Sequence, residues 1–195
     1  MKKLLYTTII SGTLFLYSCN DGTGTNTTTD TTTTTNALND AEITDNTSGA
    51  ASMIGAKDSD FAKDAAMSSM MEVELGNIAL QNASSQDVKE FASMMVTDHS
   101  AANERLKSIA SQKNIALPMA LSQEHQKEVQ DLRTKTGADF DKMYVERMQK
   151  HHEMDIEKFK KASEDLTDTD LKNFSTETLP TLQKHRDALK QISVK

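Results

Sequence analysis

The segment from Phe140 to Phe159, FDKMYVERMQKHHEMDIEKF, most strongly constrains what this chain can fold into. Its apolar residues recur at the spacing of an α-helix, about 100° per residue, and form a single stripe. The members of this stripe are Tyr144, Val145, Met148, His152, Asp155, Ile156 and Phe159. Because such a stripe faces a protein core, it predicts a helix that buries a histidine and an aspartate.

Other segments of the chain also have the periodicity of amphipathic helices. Helices are therefore predicted at about residues 59–82, 85–113, 121–135, 139–164 and 169–192. Ser59 is the predicted N-cap of the first helix, because a serine side chain there can accept a hydrogen bond from a free backbone N–H group. Four long helices with a long middle connection predict an all-α fold. The expected form is a four-helix ferritin-like bundle with a short extra helix in the middle crossover.

The first 18 residues are predicted to be a lipoprotein signal peptide, because two lysines precede the short apolar run Leu4–Leu16. This run is shorter than the roughly 20 residues that span a membrane. The residues LYSC at its end look like a bacterial lipobox, so Cys19, the only cysteine, is predicted to be acylated. Residues 19–56 contain TNTTTDTTTTTN and little to bury, which predicts a disordered linker. Residues 57–195 remain as the folded domain.

The charge of the chain restricts its partners. The formal net charge is −7, and the sequence has no Lys/Arg cluster. Nucleic acids require a basic binding surface, so we predict no nucleic-acid partner. The predicted lipid anchor makes a membrane the expected partner and the cell envelope the expected location, either periplasmic or at the outer membrane. The sequence identifies no protein partner.

Several segments of the folded region resemble the bacterial envelope proteins of the family called domain of unknown function 4142. These segments are FAKDAAMSSMMEVELGNIAL, ASSQDVKEFASMMVTDHSAANERLKSIA, TGADFDKMYVERMQKHHEMDIEKF and TLPTLQKHRDALK. The resemblance covers nearly all of the folded region and implies a four-helix fold of the ferritin-like superfamily and an exported location. It implies no reaction, because the family has no established biochemical activity.

Each of the four long helices places one candidate metal ligand inside its apolar stripe. These residues are Glu72, His99, His152 and His185. Imidazole and carboxylate groups on facing helices of a bundle core are typical ligands of iron, manganese, zinc or copper. Secondary candidates lie nearby in the sequence or on the short helix, and they are Asp98, His125, His151 and Asp155.

The sequence lacks the Glu-x-x-His motif of ferritin-like di-iron sites, in which a glutamate precedes the histidine by three residues. At that position before His99, His152 and His185, the chain has Val96, Gln149 and Leu182. Ferroxidase-like chemistry is therefore not expected. A mononuclear metal site and a metal-free network both remain open. In the network, Glu72 would pair with an imidazole, so that no buried charge is left alone.

The sequence predicts a lipid-anchored bacterial envelope protein whose biochemical activity is unassigned. The favoured interpretation is a non-catalytic binding or stress-related bundle with a buried His/Glu network and no cofactor. The alternative is a metal-binding ferritin-like protein in metal handling or oxidant defence, with a mononuclear or atypical His/carboxylate site. An enzyme is the less expected outcome, because the sequence shows no nucleophile motif and no phosphate-binding loop. No catalytic residue is assigned.

Overall fold

The computed structural model describes residues 54–194, and five α-helices account for most of them. They are α1 Ala56–Asn82, α2 Gln86–Gln112, α3 Gln123–Arg133, α4 Gly137–Asp165 and α5 Thr169–Leu189. This part of the chain contains no β-strand, so the all-α prediction is confirmed. None of these five helices combines the length and the apolar character needed to cross a membrane. The predicted signal peptide, Cys19 and most of the predicted linker lie outside the described residues.

Two helix ends differ from the sequence prediction. α1 begins at Ala56, and Ser59 is not its cap, because the Ser59 N–H already donates to Gly55 O at 3.0 Å within the first turn. α5 ends at Leu189 and not at Ile192. The chain beyond it tightens into a turn, in which Ile192 N donates to Leu189 O at 3.2 Å. Hydrogen bonds of this shorter span are common where a helix ends.

The long helices pack in two pairs. The most extensive contacts join α1 to α2 and α4 to α5. Contacts of α1 with α4 and of α2 with α5 hold the two pairs together, and α3 packs on α1 and α4. Gly76 lets α1 approach α2 closely, because a Cβ atom at this position would lie 2.8 Å from Val96 Cγ2 and 3.3 Å from Ala92 O. The described residues therefore form a helical bundle.

The interior of the bundle contains two apolar clusters with polar residues between them. One cluster includes Leu75, Met95, Met148 and Leu189. The other includes Ala65, Leu106, Ile156 and Leu182. On each long helix, one polar candidate ligand lies between a residue of the first cluster and a residue of the second. We call these four residues, Glu72, His99, His152 and His185, the polar layer. Polar groups inside an apolar core must be satisfied by one another or by a ligand.

Two buried aspartates tie each helix pair to the turn of the other pair. Asp58 of α1 accepts hydrogen bonds from Thr167 N at 3.0 Å, from Thr167 Oγ1 at 2.6 Å and from the next backbone N–H at 3.2 Å, in the turn before α5. Asp141 of α4 accepts from Ser84 N at 3.0 Å, from Ser84 Oγ and from the next backbone N–H at 2.8 Å, in the turn before α2. These contacts fix how the two pairs fit together.

Candidate metal centre

The polar layer brings together three imidazole rings from three helices and one carboxyl group from a fourth. Glu72, His152 and His185 have an exposed fraction of 0%, and that of His99 is 6%. The ring centroids are 5.7 Å apart for His99 and His152, and 5.3 Å apart for each of the other two pairs. The four main candidates from the sequence therefore lie in one buried cluster.

Helix geometry explains why these side chains meet. His99 and His152 each follow a core methionine by four residues, so each ring lies on the same helix face as that methionine. Phe91 of α2 lies edge-on to His152 and His185, with ring centroids 6.5 Å and 6.2 Å away. Phe91 was not singled out from the sequence, because it looks like any other aromatic residue in an apolar stripe.

The hydrogen on His152 can be placed from its backbone contact. His152 Nδ1 lies 3.0 Å from Met148 O. A carbonyl oxygen can only accept a hydrogen bond, so Nδ1 carries the hydrogen. The second nitrogen of the neutral ring, Nε2, is then left with a lone pair that can bind a proton or a metal ion.

The hydrogen on His185 follows from the same reasoning. His185 Nε2 lies 2.9 Å from Asp98 Oδ2, and a carboxylate oxygen accepts, so Nε2 carries the hydrogen. The lone pair of this ring is then on Nδ1. Asp98, a secondary candidate from the sequence, is therefore the partner of a layer histidine and positions its ring.

The two lone pairs face each other. His152 Nε2 and His185 Nδ1 are 3.2 Å apart. With the hydrogens placed as above, both atoms are acceptors, and two acceptors at this distance repel each other. A proton or a metal ion at these nitrogens would turn the repulsion into attraction. Without a shared cation, the two neutral rings therefore leave this contact unsatisfied.

Glu72 and His99 complete the layer. Glu72 Oε2 lies 3.1 Å from His99 Nδ1, and Glu72 Oε1 lies 3.4 Å from His152 Nδ1. Neither contact has the direction of a hydrogen bond, and both carboxyl oxygens are buried without a hydrogen-bond partner. His99 Nε2 is also buried without a partner. Unsatisfied buried groups of this kind are uncommon, and each requires an explanation.

The three rings can present one nitrogen each to a common point. The ligand atoms offered by His99, His152 and His185 all lie within 4.8 Å of one another. Zinc–imidazole bonds of about 2.0–2.1 Å put ligand nitrogens about 3.3 Å apart in a tetrahedral site. Separations of up to 4.8 Å therefore exceed the spacing of such a site by at most about 1.5 Å.

Burial keeps the layer neutral. It lowers the pKa of His99 well below its usual value, and the neighbouring imidazoles lower it further. Burial also lowers the pKa of His152, to about 3. For His185, burial lowers the pKa and outweighs the opposing effect of Asp98. Burial raises the pKa of Glu72 well above its usual value, and the charge of Asp155 adds to this effect. Neutral imidazole is the form that binds metal ions.

The other secondary candidates lie outside the layer. His151 Nε2 lies 2.7 Å from Glu128 Oε1 of α3, on another side of α4. His125 is on α3 and lines the same surface pocket as His151. Asp155 is buried and accepts a hydrogen bond from Ser68 Oγ at 2.6 Å, and it affects Glu72 only through its charge. None of the three contributes to the three-imidazole cluster.

Fold and site together define an all-helical bundle with a buried cluster of three histidines. The chain belongs to the family named Domain of unknown function (DUF4142), because the model of that family matches residues 44–192. The resemblance seen in the sequence is thereby confirmed. No protein with a curated description matches the chain.

Solved structures similar to this one belong to proteins named DUF305. A DUF305 fragment from Deinococcus radiodurans has a TM-score of 0.62 and 11% sequence identity, and the match covers 70% of this chain and 95% of that one. The "putative secreted protein DUF305 from Streptomyces coelicolor" has a TM-score of 0.60 and 15% identity, with coverage of 68% and 88%. At these identities the likeness concerns the fold alone.

Proposed function

We propose that the polar layer binds one divalent transition-metal ion and that the protein acts in metal handling in the cell envelope. The proposed ligand atoms are His99 Nε2, His152 Nε2 and His185 Nδ1. The observation that carries the proposal is the contact of His152 Nε2 with His185 Nδ1 at 3.2 Å, in which two acceptor nitrogens face each other. The free Nε2 of His99 supplies the third ligand.

The groups around the imidazoles suit this role. In metal sites, a ligating histidine usually donates its second ring N–H to a carboxylate or to a backbone carbonyl, which fixes the ring. Here the second nitrogens of the three rings lie beside Glu72, Met148 O and Asp98. His152 and His185 therefore each have a hydrogen-bond acceptor on the side away from the proposed ion, and His99 has the Glu72 carboxyl group within 3.1 Å of its Nδ1.

The ligand chemistry favours zinc or copper. Three imidazoles suit Zn²⁺ and Cu²⁺, whereas Mn²⁺ prefers oxygen ligands. Di-iron sites of ferritin-like proteins need bridging carboxylates, and the missing Glu-x-x-His motif removes them. We therefore infer a mononuclear centre in a bundle that is ferritin-like in architecture.

Metal analysis of the full-length chain tests the proposal. The substitution Cys19→Ser would be included to remove the lone thiol, and the protein would be purified without a polyhistidine tag. We expect about one Zn²⁺ or Cu²⁺ per chain after dialysis against the metal. His152→Gln should weaken binding by more than about 100-fold, because it removes a direct ligand.

The neighbouring residue supplies a matched control. His151→Gln makes the same chemical change one position away, on a ring that pairs with Glu128 outside the layer. It should leave the metal content unchanged. Equal losses in the two variants, or no stoichiometric metal in the parent chain, would overturn the proposal.

A metal-free network is the second candidate function of the layer. The hydrogen bond from His185 Nε2 to Asp98 supports it, because it links α5 to α2, and a proton held between His185 Nδ1 and His152 Nε2 would extend the network to α4. Such a network would set the relative positions of the helices. This function predicts that the purified protein contains no metal and that His152→Gln lowers its melting temperature. Added Zn²⁺ or Cu²⁺ would leave the melting temperature of the parent chain unchanged.

We further propose that the protein is exported and lipid-anchored through Cys19. The support is the lipobox-like sequence LYSC after a short apolar run, together with the word "secreted" in the name of the Streptomyces neighbour. The membrane is then the partner, through acyl chains of which more than one is needed for a durable anchor. Mass spectrometry of the mature amino terminus tests this, and an unmodified Cys19 would refute it.

A further inference from the structure

A cavity of about 290 Å³ lies between α2 and α5, directly beside the polar layer. Two of the three proposed ligands, His99 and His185, form part of its wall. Glu72 and His152 are not among its lining residues. The three-imidazole cluster therefore borders this cavity through His99 and His185, whereas Glu72 contacts the rings of His99 and His152.

Charged side chains mark the outer part of this cavity. Arg105 of α2 and Glu177 of α5 form an ion pair across it, with side chains that are 43% and 60% exposed. The Arg105 guanidinium also lies over the Phe174 ring, 5.6 Å from the centroid. Both side chains are partly in solvent, and the ion pair between them is at the surface. The cavity can therefore be reached from solvent.

Three protein ligands leave a position open on a tetrahedral ion. Closed structural zinc sites have four protein ligands, whereas reactive sites have three and keep an exchangeable position. We propose that the open position faces this cavity and takes a small monodentate ligand of a few atoms, such as water or a small anion. This inference rests on the proposed metal site and adds that the site is open to ligands from solvent.

Azide binding to the copper-loaded chain tests the inference. The full-length chain with Cys19→Ser would be loaded with Cu²⁺, and azide would be added while the charge-transfer absorption and the electron paramagnetic resonance spectrum are recorded. Azide takes the open position and one water molecule leaves, without oxidation or reduction. A saturable spectral change is expected. A copper-loaded chain whose spectra ignore azide overturns the inference and leaves the metal site standing.

Filling the cavity supplies a second test. Thr181 lies in the cavity wall and one helical turn before His185, so Thr181→Leu should obstruct the path to the open position. We expect this variant to keep one Cu²⁺ per chain and to bind azide at least about tenfold more weakly, equivalent to about 1.4 kcal/mol.

Thr176→Leu is the matched control for the cavity. It makes the same change on the same helix, at an exposed residue that does not line the cavity, and it should bind azide as the parent chain does. Equal azide affinity in the Thr181 and Thr176 variants overturns the inference. A parent chain that binds no copper overturns the proposed metal site, and this inference with it.

Discussion

The buried carboxyl groups of this bundle are of two kinds. Asp58 and Asp141 have exposed fractions of 2% and 3%, and each accepts three hydrogen bonds from a turn. Glu72 has an exposed fraction of 0%, yet neither of its oxygens has a hydrogen-bond partner. All three are enclosed by the same four long helices, but only the aspartates are satisfied by the fold itself.

This difference distinguishes buried carboxyl groups that stabilise the fold from one that has a functional role. A buried carboxylate with three donors stabilises the arrangement of elements that supply those donors. A buried carboxyl group without partners costs stability, and a fold keeps it when something else needs it. The contrast therefore assigns Asp58 and Asp141 to holding the bundle together, and it assigns Glu72 to the proposed metal site.

Acid should have the largest effect, and it should act through the histidines of the layer. Burial lowers the folded-state pKa of His152 from 6.5 to about 3. The unfolded chain therefore binds more protons than the folded chain between these values, and stability falls as the pH decreases through that window. The loss from His152 alone is roughly 2–3 kcal/mol at pH 4.5. Urea unfolding of the metal-free chain at pH 7, 6, 5 and 4.5 measures it.

Glu72 acts in the opposite direction, since its raised pKa favours the folded state as the pH falls. Burial also raises the pKa of Asp155, so two carboxyl groups oppose three imidazoles, and the net trend should still be destabilisation in acid. His152→Gln should flatten the pH profile, because it removes a group whose pKa falls from 6.5 to about 3 on folding. A parent profile that is flat from pH 7 to 4.5 would show that the layer is not neutral in the folded protein.

The second-largest effect is expected for Asp141→Asn. The amide retains one acceptor oxygen but places an NH₂ group against the donors of Ser84 and Ser85, so at least one donor loses its partner. We expect a loss of about 3 kcal/mol in the free energy of unfolding. Asp139→Asn, at an exposed position on the same helix, is the control and should change stability by less than about 0.5 kcal/mol. Equal changes in the free energy of unfolding for the two variants would show that Asp141 does not hold the bundle together.

Asp58→Asn should cost less, about 2 kcal/mol, although Asp58 also has three donors. It lies in the first turn of α1, and helix ends open locally at low cost. The exposed Asp60 supplies the control, Asp60→Asn. Hydrogen exchange should show faster exchange at Thr167 N in the Asp58 variant. Unchanged exchange at that amide would mean that Asp58 does not hold the turn.

The sequence predicted the unsatisfied carboxyl group better than the satisfied ones. Glu72 interrupts an apolar stripe, and so do His99, His152 and His185, so helical periodicity alone marked the four residues that form the layer. Periodicity fixes the phase of each helix, and the phase decides which side chains face the core. Asp98, a secondary candidate next to His99 in the sequence, contacts His185.

Asp58 and Asp141 could not be recognised in the same way. An aspartate near the start of a helix is usually explained by the helix dipole, so neither residue stood out. Their partners lie 109 and 57 residues away in the sequence, and only the packing of the two helix pairs brings them together. The sequence also could not predict which ring nitrogen of each histidine faces the centre of the layer. That orientation depends on side-chain rotamers and, for His152, on the Met148 carbonyl.

The smallest effect on stability is expected for Glu72→Gln. This variant tests the comparison of Glu72 with the two hydrogen-bonded aspartates most directly. Because the Glu72 oxygens have no hydrogen-bond partners, the amide should change the free energy of unfolding by less than about 1 kcal/mol in either direction. The same variant should weaken Zn²⁺ or Cu²⁺ binding about 10–100-fold, since Glu72 lies beside the ring of His99. Urea unfolding and competitive metal titration measure the two quantities on one preparation.

Glu74→Gln provides the matched control for this last prediction. Glu74 lies two residues away on α1, and it pairs with Arg133 on the surface, where both side chains are substantially exposed. Its replacement should alter neither metal affinity nor stability beyond about 0.5 kcal/mol, as is typical of exposed ion pairs. If Glu72→Gln instead costs as much stability as Asp141→Asn and leaves metal affinity unchanged, then Glu72 is also a structural group. That outcome would favour the metal-free network, because a carboxyl group that only supports the fold is not evidence for a bound ion.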